Sequence, residues 1–350
     1  MPILFTLGLY QTHKPERWQS KHKVFSNLSQ ALSSLGVDSY FLCHPKSVKS
    51  RFIGDKDKYF FQGEKDLATL VRERGITHLV IWGGRTEADQ RIREEVGHMV
   101  HIVYGEYGWF PQSQHCYFSP NGTNADADLL NEGLKNHKLD RSRFLAARRK
   151  LLFSMLGWRG VFNAPDFFTQ RQFDTRKKIF VPLQNEKDTN IVLSSPVKSM
   201  ASFIEGLSEH YPHNEFIVRP HPRAAYNSLP LRDNVEYQSP AVNPFRDYER
   251  YGGVLGINST MLLQLALLGL PVAGIGEGVA TGTGVYEDLD WNEMPADLEK
   301  ISSKPWGAGK SLDFMIRVKQ LSFRQLRDPN EIEASYLYTL LTGREVNYAP

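Results

Sequence analysis

Short apolar runs that end in polar residues alternate along this chain with stretches whose apolar positions recur every three to four residues. The first kind reads as buried strands and the second as amphipathic helices. Pro2 to Tyr10 opens with the apolar run Ile3-Leu4-Phe5 and predicts a first strand. It has no basic residues ahead of its apolar core, so it does not read as a secretory leader. A helix is predicted over Val24–Leu35, then a strand over Asp38–Cys43. Helix Asp66–Arg74 and strand Thr77–Trp82 follow, then helix Thr86–Glu95 and strand His101–Tyr104. Strands alternating with helices predict a mostly parallel sheet with crossover helices.

A second alternating unit runs from Lys178 to about Ile275. Its strands are Ile179–Leu183, Phe216–Val218, Val254–Ile257 and Pro271–Ala273. Its helices are Ser199–Glu209, Pro244–Tyr251 and Ser259–Leu268. Between the units, Arg141 to Lys178 holds ten Arg or Lys against two Asp, interleaved with aromatics, and reads as helical linker structure. The tail from Leu312 to Thr342 reads as helical, without strand runs. The predicted fold is α/β: two Rossmann-like domains facing a cleft, over residues 1–170 and 171–320, with a helical tail at 321–350 packing back on the first.

Composition narrows the function. At 350 residues the chain is long enough for two domains, and a net charge of +3 does not point to duplex nucleic acid. Cys43 and Cys116 are too few for a disulfide framework and fit a reducing compartment, the cytoplasm. No apolar run approaches the roughly 20 residues of a membrane-spanning helix.

Chemistry collects at predicted strand ends, where open α/β sheets bind ligands. One strand ends in Arg219-Pro220-His221-Pro222. The prolines stiffen the turn that holds His221, and Arg219 and Arg223 are suited to phosphate or carboxylate. Asn258-Ser259-Thr260 opens an apolar helix, and a helix N-terminus favours an anion; plain N-capping is the simpler use of the same residues. Gln184-Asn185-Glu186-Lys187-Asp188 follows a third strand. Asp188 is suited to be nucleophile, base or ribose ligand, and Glu186 competes for each role.

In the first half, Glu106 stands at a strand end in Glu106-Tyr107-Gly108-Trp109-Phe110-Pro111-Gln112. Burial would raise its pKa toward acid–base work. Trp109 and Phe110 are either a stacking face for a sugar or an aromatic turn packed over the sheet. Asp126-Ala127-Asp128 has the form of a metal-binding Asp-x-Asp, but reads as acids supplied to a helix N-terminus. Glycines 274, 276, 278, 282 and 284 read as a flexible loop that matches no nucleotide fingerprint. The pairs His98/His101 and His210/His213 lack an obvious third metal ligand.

The order Glu106 to Gln112, Gln184 to Asp188, Arg219 to Pro222 and Asn258 to Thr260 resembles bacterial capsule and O-antigen glycosyltransferases. The likeness is to the retaining β-Kdo transferases, which take Kdo from CMP-Kdo, and spans roughly Glu106 to Pro271. It implies a GT-B fold, a nucleotide-sugar donor, a saccharide or glycolipid acceptor and no metal or other cofactor. It also implies catalytic roles for Asp188 as nucleophile, for His221, and for Glu106 as base. Gln184, Arg219, Asn258, Ser259 and Thr260 would lie on the donor side, Trp109 and Gln112 on the acceptor side. Before Glu106 nothing matches residue by residue. Alternatives are a transferase or epimerase using another activated sugar or polyol, and a non-catalytic glycan-binding subunit. The basic aromatic stretch has two readings: aromatics packed between the domains with the bases on a solvated face, or peripheral contact with an anionic inner membrane.

Overall fold

The computed structural model describes residues 1–11, 15–49, 53–226 and 228–343. The chain divides into two compact units. One comprises Met1–Asp128 and the chain from Arg317 on; the other is Leu129–Ile316. The division at Asp128 differs from the boundary near residue 170 expected from sequence. The basic aromatic stretch belongs to the second unit, where Phe144, Leu152, Phe167 and Phe173 are buried.

The first unit opens with β1 (Ile3–Leu7), α1 (Gln19–Ser34), β2 (Ser39–Cys43) and β3 (Tyr59–Phe61). It continues with α2 (Leu67–Arg74), β4 (His78–Trp82), α3 (Glu87–Val96), β5 (His101–Tyr107) and β6 (His115–Ser119). Polar residues punctuate it. Asp66 caps α2 by accepting from Thr69 N–H at 2.8 Å, and Thr86 and Asp89 form a reciprocal capping box on α3. Strand β1 is buried along its whole length. Its Ile3, Phe5 and Leu7 pack with Phe25, Leu28 and Leu32 of α1, while Leu4 packs with Leu67, Leu70 and Ile92 of α2 and α3. A near-continuous apolar run, interrupted here only by Thr6, is what a parallel strand covered on both faces requires.

After a π-helical turn at Leu130–Leu134, the second unit holds α4 (Arg141–Asn163), followed by β7 (Lys178–Pro182), α5 (Thr189–Ser194), α6 (Met200–His210) and β8 (Phe216–Arg219). Then come β9 (Val235–Tyr237), β10 (Tyr251–Gly256), α7 (Thr260–Leu268), β11 (Val272–Gly274), β12 (Glu287–Asp288) and α8 (Pro305–Phe314). Its sheet has the order β12-β11-β10-β7-β8-β9, with every pairing parallel. The chain runs outward from β7 to β9, then returns to lay β10 on the other side of β7. That reversal is the topological switch point of a Rossmann sheet. The helix expected over Pro244–Tyr251 is not formed. Asn243 Oδ1 accepts from Phe245 N–H at 3.0 Å, a side-chain turn that competes with helix, and only Tyr248–Arg250 coils as a 3₁₀ turn.

The chain then re-enters the first unit through β13 (Gln320–Ser322), α9 (Pro329–Glu333) and α10 (Tyr336–Thr342). The tail is therefore not wholly helical: β13 pairs antiparallel with β6. The first sheet has the order β13-β6-β5-β4-β1-β2-β3. Leu326, Ile332, Leu337 and Leu341 of the tail join the same core as Phe5 and Phe25. Each unit is thus a Rossmann-like α/β layer structure. Among the described residues no helix is long and apolar enough to cross a membrane.

Candidate functional site

At the switch point of the second sheet, the ends of β7 and β10 are tied by two side-chain amides. Gln184 Nε2 donates to Asn258 Oδ1 at 2.9 Å, and Asn258 N–H donates to Gln184 Oε1 at 3.1 Å. Asn258 Nδ2 donates onward to the carbonyls of Glu277 at 2.8 Å, Asn190 at 3.0 Å and Ser194 at 3.4 Å. One asparagine therefore joins β7, β10, α5 and the loop after β11. Gln184 is nearly buried and spends its amide inside the protein. The glycine-rich loop is packed where it meets this knot: a Cβ on Gly276 would lie 2.6 Å from Ile257 Cγ2, and Glu277 N–H donates to Ser194 O at 2.9 Å.

The Arg-Pro-His-Pro turn is held to the same knot by a residue the sequence did not single out. Tyr226 Oη accepts from His221 N–H at 3.0 Å and donates to Gln184 O at 3.0 Å. His221 Nδ1 accepts from Arg223 N–H at 3.2 Å, which leaves Nε2 to carry the proton of the neutral ring. Burial lowers the His221 pKa; the Asp188 carboxylate opposes this, and the charges of Arg223 and Arg219 reinforce it. Arg219, at the end of β8, is largely buried and donates Nη2 to Pro240 O at 2.7 Å, while its Nε meets no acceptor among the described residues. Burial also lowers its pKa.

The two carboxylates beyond β7 differ in use. Glu186 is half-buried and accepts from Met200 N–H at 2.7 Å, tying it to the start of α6. Asp188 is exposed and caps α5, accepting from Asn190 N–H at 2.9 Å. Nearby, Ser259 caps α7 by accepting from Met261 N–H at 3.2 Å, and Ser259 and Thr260 are part-exposed. The far end of α7 is closed by Arg148. Its Nε donates to Leu267 O at 2.8 Å and its Nη2 to Leu268 O at 3.0 Å, a guanidinium at the negative end of a helix. Nothing in the basic run Arg148-Arg149-Lys150 marks its first member for this task.

The first unit treats its candidates differently. Glu106 is half-buried on β5, opposite Tyr117 of β6, and accepts from Tyr107 N–H at 2.8 Å. Burial lowers the pKa of Lys21, and Glu106 acts in the opposite direction on it. Trp109 and Phe110 offer no sugar-stacking face. They are 2% and 0% exposed, and Trp109 stacks on Tyr117 with ring centroids 4.3 Å apart. Their backbone N–H groups both donate to Gln320 Oε1 at 3.2 Å, so the turn is an anchor for the returning chain. Gln112 is exposed in a 3₁₀ turn. Asp126 lies in the 3₁₀ turn Asn124–Asp126 and pairs with Arg85 Nε at 2.9 Å.

Neither a protein-family model nor a curated protein matches the sequence. Solved structures do. The β-Kdo 2,7-transferase of Thermosulfurimonas dismutans KpsC aligns over 95% of this chain and 98% of its own, with TM-score 0.59 and 17% identity. The β-Kdo 2,4-transferase of the same protein aligns over 89% and 90%, with TM-score 0.52 and 13% identity. At these identities the likeness is one of fold, and the fold is the double-Rossmann α/β architecture called GT-B.

Proposed function

We propose that this chain is a glycosyltransferase that moves Kdo from CMP-Kdo to a saccharide acceptor of bacterial surface polysaccharide, capsule or O-antigen, with retention of configuration. The observation that carries the proposal is the edge of the second sheet at its switch point. There a neutral imidazole, a carboxylate that acts on its charge, and the start of an apolar helix are held by one hydrogen-bonded knot. The shared fold supports it.

The donor would present a carboxylate and a phosphate. The N-terminus of α7, with the Ser259 and Thr260 hydroxyls, is suited to the phosphate, and Arg219 brings an unused N–H. Gln184 and Asn258 would act by holding these groups in place, since their amides bond each other. In the proposed chemistry the Asp188 carboxylate attacks the anomeric carbon, and the bond to the phosphate oxygen breaks with its electron pair leaving on CMP. Nε2–H of His221 would donate a hydrogen bond to that departing phosphate. An acceptor hydroxyl then displaces Asp188 from the same carbon, which restores the original configuration. Glu106 is the proposed base for the proton of that hydroxyl. No step is assigned to a metal. Use of a nucleotide-activated donor places the work in the cytoplasm, consistent with two buried free thiols.

Melting curves with CMP, UDP, GDP and CDP test the donor. CMP should raise Tm most; a ligand at a hundredfold excess over its Kd adds about 2.7 kcal/mol. Greater protection by UDP would move the chain to another activated sugar, as transferase or epimerase. No protection by any nucleotide would leave a glycan-binding subunit.

A further inference from the structure

Helix α4 carries the largest cluster of exposed aromatic surface among the described residues. Phe153, Trp158 and Phe162 are 47%, 59% and 73% exposed. They touch one another: Phe153 meets Trp158 edge-on at 4.9 Å, and Trp158 stacks on Phe162 at 5.7 Å. Gly157 makes the cluster possible. It interrupts the helix with φ 65° and ψ −157°, a conformation in the left-handed half of backbone space that favours glycine. The break turns the last part of α4 so that Val161 and Phe162 face Leu145 and Leu152 across a cavity of about 280 Å³, which Arg148 and Arg149 also line.

The charge on this element has one sign. From Arg141 to Asn163 it holds Arg141, Arg143, Arg148, Arg149, Lys150 and Arg159, and no Asp or Glu. Several of these bases are committed. Arg148 closes α7, Arg159 pairs with Glu249, and Arg141 lies over the Phe168 ring. Arg149 and Lys150 are exposed and meet no carboxylate among the described residues.

We propose that this face of α4 docks on the surface of an anionic phospholipid bilayer. Exposed Trp and Phe settle at the headgroup boundary, the apolar side of the cavity, formed by Leu145, Leu152, Val161 and Phe162, would accept part of an acyl chain, and Arg149 and Lys150 would meet lipid phosphate. A protein partner would need acidic groups of its own to satisfy the bases. A lipid surface supplies apolar and anionic chemistry together. The docking is independent of which donor the second sheet edge binds.

Cosedimentation with vesicles tests it. The full chain should pellet at low salt with phosphatidylcholine vesicles containing phosphatidylglycerol. It should pellet poorly with phosphatidylcholine alone and release at high salt. Trp158→Ser with Phe162→Ser should abolish pelleting. Arg149→Gln with Lys150→Gln should weaken partitioning by roughly thirtyfold, since each base near the surface counts for about 1 kcal/mol. Arg148 is left intact because it caps α7. All four positions are exposed, so melting temperatures should match the parent chain, and CMP protection should be unchanged. Absence of pelleting at low salt, or equal pelleting by the aromatic variant, overturns the proposal. A concentration-dependent dimer that the aromatic variant loses, without vesicle binding, would assign the face to a second copy of the chain and overturn it equally.

Discussion

The two sheets share their first five strand positions, three-two-one-four-five counted within each unit, yet their carboxyl edges are built from different materials. In the second unit, the strands flanking the switch point end in Gln184 and Asn258, whose side chains bond each other and gather three further carbonyls. In the first, the flanking strands β1 and β4 run into glycines. Gly8 has φ 70°, and Gly84 has φ 100° with no room for a Cβ, which would lie 2.4 Å from Tyr104 Cδ1. One topology thus yields an edge fixed by side-chain amides and another shaped by bare backbone. A fixed polar edge suits a reaction that needs atoms placed within a fraction of an ångström.

The strongest test of that contrast separates chemistry from capping. Asp188→Asn keeps a residue that caps helices as well as aspartate does, but removes the proposed nucleophile. Activity should fall at least a thousandfold, about 4 kcal/mol of barrier, with Tm unchanged. Glu106→Gln, on the first unit, should cost about a hundredfold or more, the usual cost of losing a general base, which is its proposed role. Should Asp188→Asn retain more than about a tenth of the rate, the nucleophile lies elsewhere, with Glu186 next in line.

Stability should show the same division. Asn258→Ala strands the Gln184 amide and several carbonyls and should cost about 3 kcal/mol in denaturant unfolding. A double-mutant cycle with Gln184→Ala should return a coupling of roughly 1 kcal/mol or more. Additive effects would mean that the amide pair is not what fixes the edge. Gly84→Ala, on the other edge, acts through backbone strain and should couple to neither.

The smallest effect concerns pH. Burial lowers the His22 pKa to about 4, and His78 is lowered to about 4 by burial and by His101. Both are neutral in the fold. As pH falls below the ordinary value of 6.5, the unfolded chain binds protons that the fold refuses, so stability falls until pH reaches about 4. His22→Gln should flatten the Tm-against-pH curve over that window, and an unchanged slope would assign the loss to other groups.

Much of this was legible in the chain. Asp66, Thr86, Ser199 and Ser259 each cap the helix whose start they mark, because a short polar side chain before an apolar periodic run has a local use. Uninterrupted apolar runs found the buried parallel strands. Two local readings failed for a local reason: the turn at Asn243 displaced a helix, and three residues, Gln320–Ser322, are too few to show a period.

The sequence by itself determined the class of fold, the succession of strands and helices in each unit, and the strand ends where polar chemistry would gather. Periodicity and capping act over a few residues, and a single chain displays them. Tertiary structure alone decided what those polar groups do. Trp109 is buried with the ring of Tyr117, from β6, stacked on it, and Gln184 is spoken for because Asn258 arrives 74 residues later. Tyr226 bridges two strand ends, and Arg148 closes a helix more than a hundred residues away. Burial and hydrogen-bond partnership belong to pairs of distant residues, so no local pattern in the chain records them.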